Sequence, residues 1–149
     1  MKIKPQIHSA FLAVIENKIL SLQQTLADLK ESGTNETKST AGDKHETALA
    51  MLQIEQANKR AQLQDAQEQR SALLNVNPEN ITTKVTSGSL VKTNRGHFYI
   101  SVALGKLNIG GNIITAISPQ SPLGAILMGK TALDSVSVNG NAFLIESVE

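Results

Sequence analysis

The sequence predicts an α+β protein in which an antiparallel α-helical hairpin precedes a small β-rich domain with one short helix. Two observations lead to this prediction. Up to about residue 74 the chain is rich in good helix formers, with apolar residues at alternating steps of three and four. From residue 81 on, β-branched residues, glycines and short apolar runs dominate. We therefore divide the chain into a helical hairpin over residues 1–77 and a C-terminal domain over residues 78–149.

Helix one is predicted from about residue 6 to about residue 31. Its apolar residues form a stripe of the kind that packs on a partner helix. The stretch 32–35 (Ser-Gly-Thr-Asn) interrupts this stripe, and polar residues continue to Gly42, so we expect a polar loop at the tip of the hairpin. The residues of the stripe are Leu12, Ile15, Ile19, Leu22, Leu26 and Leu29.

Helix two is predicted from Lys44 to about Leu74, where Pro78 and its neighbours end it. It has a heptad-like seam that polar residues interrupt, and a second apolar stripe lies beside that seam. The pairing is therefore expected to be less regular than an ideal coiled coil. The seam contains Leu49, Leu52, Leu63, Ala66 and Leu73, the interruptions are Gln56, Lys59 and Arg70, and the second stripe is Ile54, Ala57 and Ala61.

The C-terminal domain contains six segments with the composition of strands. Asn139-Gly140 between the last two is a strong signal for a two-residue hairpin turn. One short helix is predicted over residues 121–128, with Ser121 as its N-cap and Pro122 at its first position. The predicted strands are 81–85, 90–93, 97–103, 113–117, 136–138 and 142–148.

Composition excludes several classes of function. The net charge is +1 and aromatic residues make up 3%, which argues against a free-standing nucleic-acid binder. The absence of cysteine excludes disulfides and thiolate metal sites, and His8 and His97 form no zinc pattern. No apolar run approaches the roughly 18 residues of a membrane span, and no export signal is recognisable. We expect a cytoplasmic protein without a membrane partner.

An acidic pair, Asp43 and Glu46, stands where helix two is predicted to begin. One interpretation is structural, since an N-cap Asp followed three residues later by Glu is a capping box. The other is functional, since two exposed carboxylates could share a hard cation such as Mg²⁺ that takes its remaining ligands from elsewhere. Nearby, Lys38, Lys44 and His45 are either a solvated surface or contacts for RNA.

Two segments resemble motifs of the bacterial Gre transcript-cleavage factors. Residues 42–48 (Gly-Asp-Lys-His-Glu-Thr-Ala) are similar to the acidic tip motif of that family. Residues 117–130, which include Ser-Pro-Leu-Gly and end in Gly-Lys, are similar to its C-terminal signature, and Asp134 follows as in the family. The two segments occur in the order and at about the spacing of the family, so the resemblance covers nearly the whole chain.

The resemblance implies an accessory factor and not an enzyme in its own right. Its C-terminal domain would be FKBP-like and would dock on RNA polymerase, while the hairpin enters the secondary channel and meets the nascent RNA. Asp43 and Glu46 would help to hold a Mg²⁺ ion shared with the polymerase active centre. No tightly bound cofactor and no small-molecule substrate are implied. Lys38, Lys44 and His45 would contact RNA or polymerase, and the docking residues would be Ser121, Pro122, Gly129, Lys130 and Asp134.

The sequence also departs from the family pattern near the tip. Residues 38–41 are polar where the family continues a helix, and the residues after the acidic pair differ from its usual Asn, acid and aromatic. Two alternatives therefore stay open. The protein could bind the same channel and modulate transcription without cleavage, or it could be a structural adaptor whose hairpin pairs with another helical protein. The differing residues are Thr47, Leu49 and Ala50.

Overall fold

The fold class predicted from the sequence is confirmed: two long helices come first, and a six-stranded sheet with one short helix follows. The computed structural model describes residues 3–37 and 42–149, with the side chains of residues 35–37 and 42–45 outside that description. None of the described helices is long and apolar enough to cross a bilayer. The elements are α1 (Lys4–Thr37), α2 (Gly42–Leu74), β1 (Leu90–Thr93), β2 (Gly96–Ile100), β3 (Gly105–Ile109), β4 (Asn112–Ile117), α3 (Pro122–Leu127), β5 (Ser135–Val138) and β6 (Asn141–Val148).

Contacts divide the chain into two compact units. The sheet unit consists of Met1–Val14 and Gln69–Glu149, so it includes the beginning of α1 and the end of α2. The helical unit is Ile15–Glu68. The sequence-based boundary between residues 77 and 78 stays a prediction.

The helical unit is an antiparallel pair. Leu26 of α1 lines one groove with Arg60 of α2. Further along α1, Thr34 lines a second groove with Leu49 and Leu52, so the numbers fall along α2 as they rise along α1. The predicted stripes are the less exposed sides of the two helices: Ile15, Leu22, Ala66 and Leu73 are buried, and the other stripe residues are half-buried. The second stripe of α2 does not pack: Ile54 is 63% exposed, and the neighbouring alanines at 57 and 61 are exposed as well.

Helix one is longer than predicted, and the predicted end at residue 31 is wrong. The helix continues through the Ser-Gly-Thr-Asn stretch to Thr37. Thr34 is accommodated there because its Oγ1 donates a hydrogen bond to the Lys30 carbonyl, 3.1 Å away, within the helix itself. Helix propensity is a weak preference, so a helix whose earlier turns are packed can continue into a polar segment of low propensity.

The sheet has the strand order β3-β4-β2-β1-β6-β5. All neighbouring strands are antiparallel except β2 and β4, which are parallel. Two of its hairpins turn on residue pairs with positive φ, which Asn and Gly adopt most readily. The predicted turn at Asn139 (φ 51°) and Gly140 (φ 81°) is confirmed, and Gly110 and Gly111 form the corresponding turn between β3 and β4.

Both faces of the sheet are covered. Strand β2 shows this directly, because its alternate residues belong to different cores. Tyr99 is fully buried beneath α1, where the Phe11 ring stacks on it with centroids 6.4 Å apart and planes at 18°. Ile100 belongs to the opposite core, whose buried residues are Val85, Val91, Ile100, Leu127, Val136 and Ile145.

Three strand predictions need correction. Residues 81–85 form no strand, because Val85 exchanges backbone hydrogen bonds with Gly129 and Lys130 in the loop after α3, and only an isolated bridge joins Lys84 to Thr131. Strand β2 ends at Ile100 and not at residue 103. Strand β3 was not predicted at all, although the Gly110-Gly111 pair that follows it is a hairpin signal.

Candidate functional site

The acidic pair lies in the first turns of α2, which begins at Gly42. Positions 43 and 46 are three residues apart and therefore lie on the same face of the helix. The Glu46 side chain is exposed. Lys38 lies outside the described residues, as do the side chains of Asp43, Lys44 and His45. The capping-box and metal interpretations of the pair therefore both stay predictions.

Carboxylates at the same spacing occur twice more in the helical unit. Asp28 and Glu31 on α1, and Asp65 and Glu68 on α2, are exposed pairs of the same kind. Position distinguishes the tip pair from these, since it alone is next to the connection between the helices. Among the described residues, no three potential ligands come together to hold a metal ion. Two carboxylates are suitable hard ligands for Mg²⁺, but they leave most of its six positions to a partner.

The C-terminal signature forms α3 and the turns around it. Ser121 is the N-cap, as predicted: its Oγ accepts a hydrogen bond from the Gly124 amide at 3.0 Å and donates one to the Ser118 carbonyl at 2.8 Å. Pro122 occupies the first helical position, where its missing N–H costs nothing. These residues therefore have a structural role in starting the helix.

The loop after α3 is held by its own hydrogen bonds. Asp134 Oδ2 accepts from the Thr131 amide at 2.8 Å and from the Thr131 hydroxyl at 3.1 Å, and the backbone hydrogen bond is the main reason that the pKa of Asp134 is lowered. Gly129 has φ +80° and donates its N–H to the Val85 carbonyl. Lys130 accepts from the Val85 amide at 2.8 Å. The docking role of these residues stays a prediction.

A polar cluster beneath α1 was missed from the sequence. His8 Nδ1 lies 2.8 Å from the Tyr99 hydroxyl, and both side chains are buried. Lys4 is also buried, and its ammonium donates to the backbone carbonyls of Asn80 and Gly88. A signal for it was present, because residues 4, 8, 11 and 15 extend the apolar stripe of α1 toward the N-terminus at helical spacing.

Burial governs the pKa values in this cluster. Desolvation lowers the pKa of Lys4, and the charge of Glu149 opposes that effect in part. Burial also lowers the pKa of His8 and raises the pKa of Tyr99, and both shifts favour the neutral imidazole and the neutral phenol in this hydrogen bond. The cluster fixes the beginning of α1 on the sheet, and nothing in it suggests a chemical step.

The free energy of unfolding is expected to fall as the pH is lowered through the slightly acidic range. The unfolded chain binds a proton at His8 near pH 6.5, whereas the folded chain binds it only at lower pH. The contribution of His8 is therefore fully present above pH 6.5 and is lost as the pH falls toward the folded pKa. Urea unfolding at a series of pH values measures this.

The control for this experiment is the other histidine of the sheet unit. His8→Gln is expected to flatten the pH dependence, whereas His97→Gln keeps His8 and should retain the contribution of that residue. A His8→Gln variant with the same pH dependence as the wild type would contradict the assignment.

The comparisons with known proteins are sparse. No protein-family model matches the chain, and no curated protein matches it in sequence. The solved structure entitled "Structure of the transcription factor Gfh1" aligns with 92% of this chain and 92% of its own, at 14% identity and a TM-score of 0.36. At that identity and TM-score the likeness assigns neither a family nor a function.

Proposed function

We propose that the protein is an RNA polymerase accessory factor of the Gre type, which stimulates the polymerase to cleave backtracked RNA. The observation that carries the proposal is the placement of the acidic motif. Residues 42–48 lie at the closed end of an antiparallel helical pair, and the segment similar to the C-terminal signature lies in the sheet unit that follows. Each of the two segments therefore lies in the kind of structural unit that the resemblance implies for it.

In this proposal Asp43 and Glu46 act as ligands brought to another protein's active centre. A Mg²⁺ ion shared with the polymerase would supply charge stabilisation for phosphodiester hydrolysis. The part of this chain is to present two carboxylates on one helical face, at the end of a pair of packed helices. From residue 42 to residue 68, α2 rises by about 40 Å at 1.5 Å per residue, which gives the pair its reach.

The test is transcript cleavage by a stalled, backtracked RNA polymerase from the same organism. Wild-type protein is expected to shorten the RNA from its 3′ end, and Asp43→Asn combined with Glu46→Gln is expected to reduce the rate by at least about 100-fold. The matched control is Asp28→Asn combined with Glu31→Gln, which removes the same charges at the same spacing from α1. It should retain the wild-type rate. Circular dichroism checks that both variants are folded.

Binding to polymerase, measured in parallel, separates the alternatives. Cleavage by wild type that is lost only in the tip variant supports the proposal. If neither protein cleaves but both bind polymerase, the protein is a channel modulator, as the departures at Thr47, Leu49 and Ala50 from the family pattern would suggest. If wild type does not bind polymerase at all, the adaptor alternative replaces both.

A further inference from the structure

A pocket of about 170 Å³ lies in the sheet unit, on the face of the sheet that carries Tyr99. The pairing registers explain why its lining residues share that face. Lys92 on β1 is opposite His97 on β2 and opposite Ser147 on β6. Side chains of directly opposed residues stand about 5 Å apart on one face, so these three form a continuous polar row across neighbouring strands.

An apolar wall borders the polar row. It consists of Ile3, Leu90 and Ile114, of which the last two are buried. Ile114 is opposite His97 on the parallel strand β4, so the wall continues the row on the same face. The pocket therefore has the usual composition of a small-molecule site, with apolar surface for contact and a few polar groups that fix orientation.

The polar row is available to a ligand. Within the described part of the chain, the imidazole of His97 and the hydroxyl of Ser147 have no hydrogen-bond partner, and neither does the amide of Asn112, which also lines the pocket. The Lys92 ammonium lies 3.9 Å from a Glu146 carboxylate, but both side chains are about half exposed. Such a pair is weak, and an ammonium group has further N–H donors to offer.

The charges around the pocket balance. Lys92 faces Glu146, while Glu149, which lines the pocket, acts on the ammonium of Lys4. A pocket that contains one cation and one carboxylate, in surroundings with no net charge, is complementary to a ligand that carries both charges itself. A simple anion would be attracted by Lys92 and repelled by Glu149.

The volume limits the size of the ligand. At about 30 Å³ per water molecule, the pocket has room for five or six waters. Pockets for drug-sized ligands start at about 300 Å³. Nucleotides and peptides are therefore too large to be enclosed, whereas an amino acid with a short aliphatic side chain is of suitable size.

We propose that this pocket binds a small aliphatic α-amino acid in its zwitterionic form. The ligand carboxylate accepts hydrogen bonds from the polar row of Lys92, His97 and Ser147. Its ammonium group pairs with Glu149, and its side chain packs on the apolar wall. The proposal is independent of polymerase, because every group in it belongs to the sheet unit.

The experiment is a titration of the ¹⁵N-labelled protein, followed by ¹H–¹⁵N correlation spectra. The probes are L-valine and two analogues: isovalerate, which lacks the ammonium group, and isobutylamine, which lacks the carboxylate. Valine is expected to give saturable shifts at the amides of Lys92, His97 and Ser147, with a dissociation constant of about 1 mM. Each analogue is expected to bind at least about tenfold more weakly.

Two variants assign the charges. Lys92→Gln should weaken valine binding about tenfold and leave isobutylamine binding unchanged, and Glu149→Gln should weaken valine binding while leaving isovalerate binding unchanged. Glu146→Gln removes the ion-pair partner of Lys92 without touching the pocket lining, so it should retain valine binding. Lys106→Gln, at an exposed lysine of β3 that does not line the pocket, is the control for net charge.

Two results would overturn the proposal. Isovalerate that binds as tightly as valine would show an anion site without recognition of an ammonium group. The absence of saturable shifts with any of the three probes at about 20 mM would show that the pocket is not a site for this class of ligand. Neither result bears on the proposed role in transcript cleavage, because that role is tested by substitutions at Asp43 and Glu46, outside the sheet unit.

Discussion

Replacing Gly124 with alanine is expected to lower the free energy of unfolding by about 3 kcal/mol. A Cβ at this position would overlap the Ser118 carbonyl oxygen and would approach Ser121 Oγ to 2.8 Å. Both atoms take part in the N-cap hydrogen bonds of α3, so neither can move without breaking them. Urea unfolding monitored by circular dichroism measures the change.

The matched control for this prediction is Gly33→Ala. Gly33 lies in the interior of α1, where the nearest atom to an added Cβ is 4.0 Å away. Alanine should therefore raise the free energy of unfolding by about 0.5–1 kcal/mol through helix propensity. A Gly124→Ala variant within about 1 kcal/mol of the wild type would contradict the close approach of Ser118 to α3.

Phe11→Ala should lower the free energy of unfolding by about 4 kcal/mol. Phe11 is fully buried and stacks on Tyr99, so its removal leaves a cavity next to the centre of the sheet. The His8–Tyr99 hydrogen bond borders the same space, and its buried polar atoms would lose part of their packing. Thermal or urea unfolding of the purified variant provides the measurement.

Leu20→Ala is the comparison for Phe11→Ala. Leu20 lies on the same helix but is 63% exposed, so truncation there should cost less than about 1 kcal/mol. If the two variants lose similar amounts of stability, the result would contradict the packing of the beginning of α1 on the sheet.

Much of the fold could be predicted because local signals were strong. The Asn139-Gly140 turn and the Ser121-Pro122 helix start each require a particular backbone, and only a few residue types adopt it. Strand β3 was missed because it is only five residues long and contains Gly105, Lys106 and Asn108, residue types that are depleted in strands, so that its pairing with β4 decides its conformation. The segment 81–85 was misassigned because its β-branched residues pair with a loop and not with a strand.

The candidate sites differ in how much the sequence could reveal. The acidic pair was recognisable because its residues are adjacent on one helix. The pocket was not, since Lys92, His97, Ser147 and Glu149 come together only through the register of three strands. The cluster beneath α1 was visible only in part, because the helical spacing of residues 4, 8 and 11 indicates one buried face of α1, whereas Tyr99, the partner of His8, lies 91 residues away in the chain.

The packing of α1 on the sheet has a consequence for the order of assembly. His8 and Tyr99 are 91 residues apart in the chain, and Lys4 and Gly88 are 84 residues apart. During synthesis, the first three turns of α1 must therefore wait for residues 88–99 before their apolar side chains find a partner. A fragment that begins at residue 78 would lack the side chains of His8 and Phe11 and would present Tyr99 to solvent. The beginning of α1 thus completes a compact unit whose other residues all come after the helical unit in the sequence.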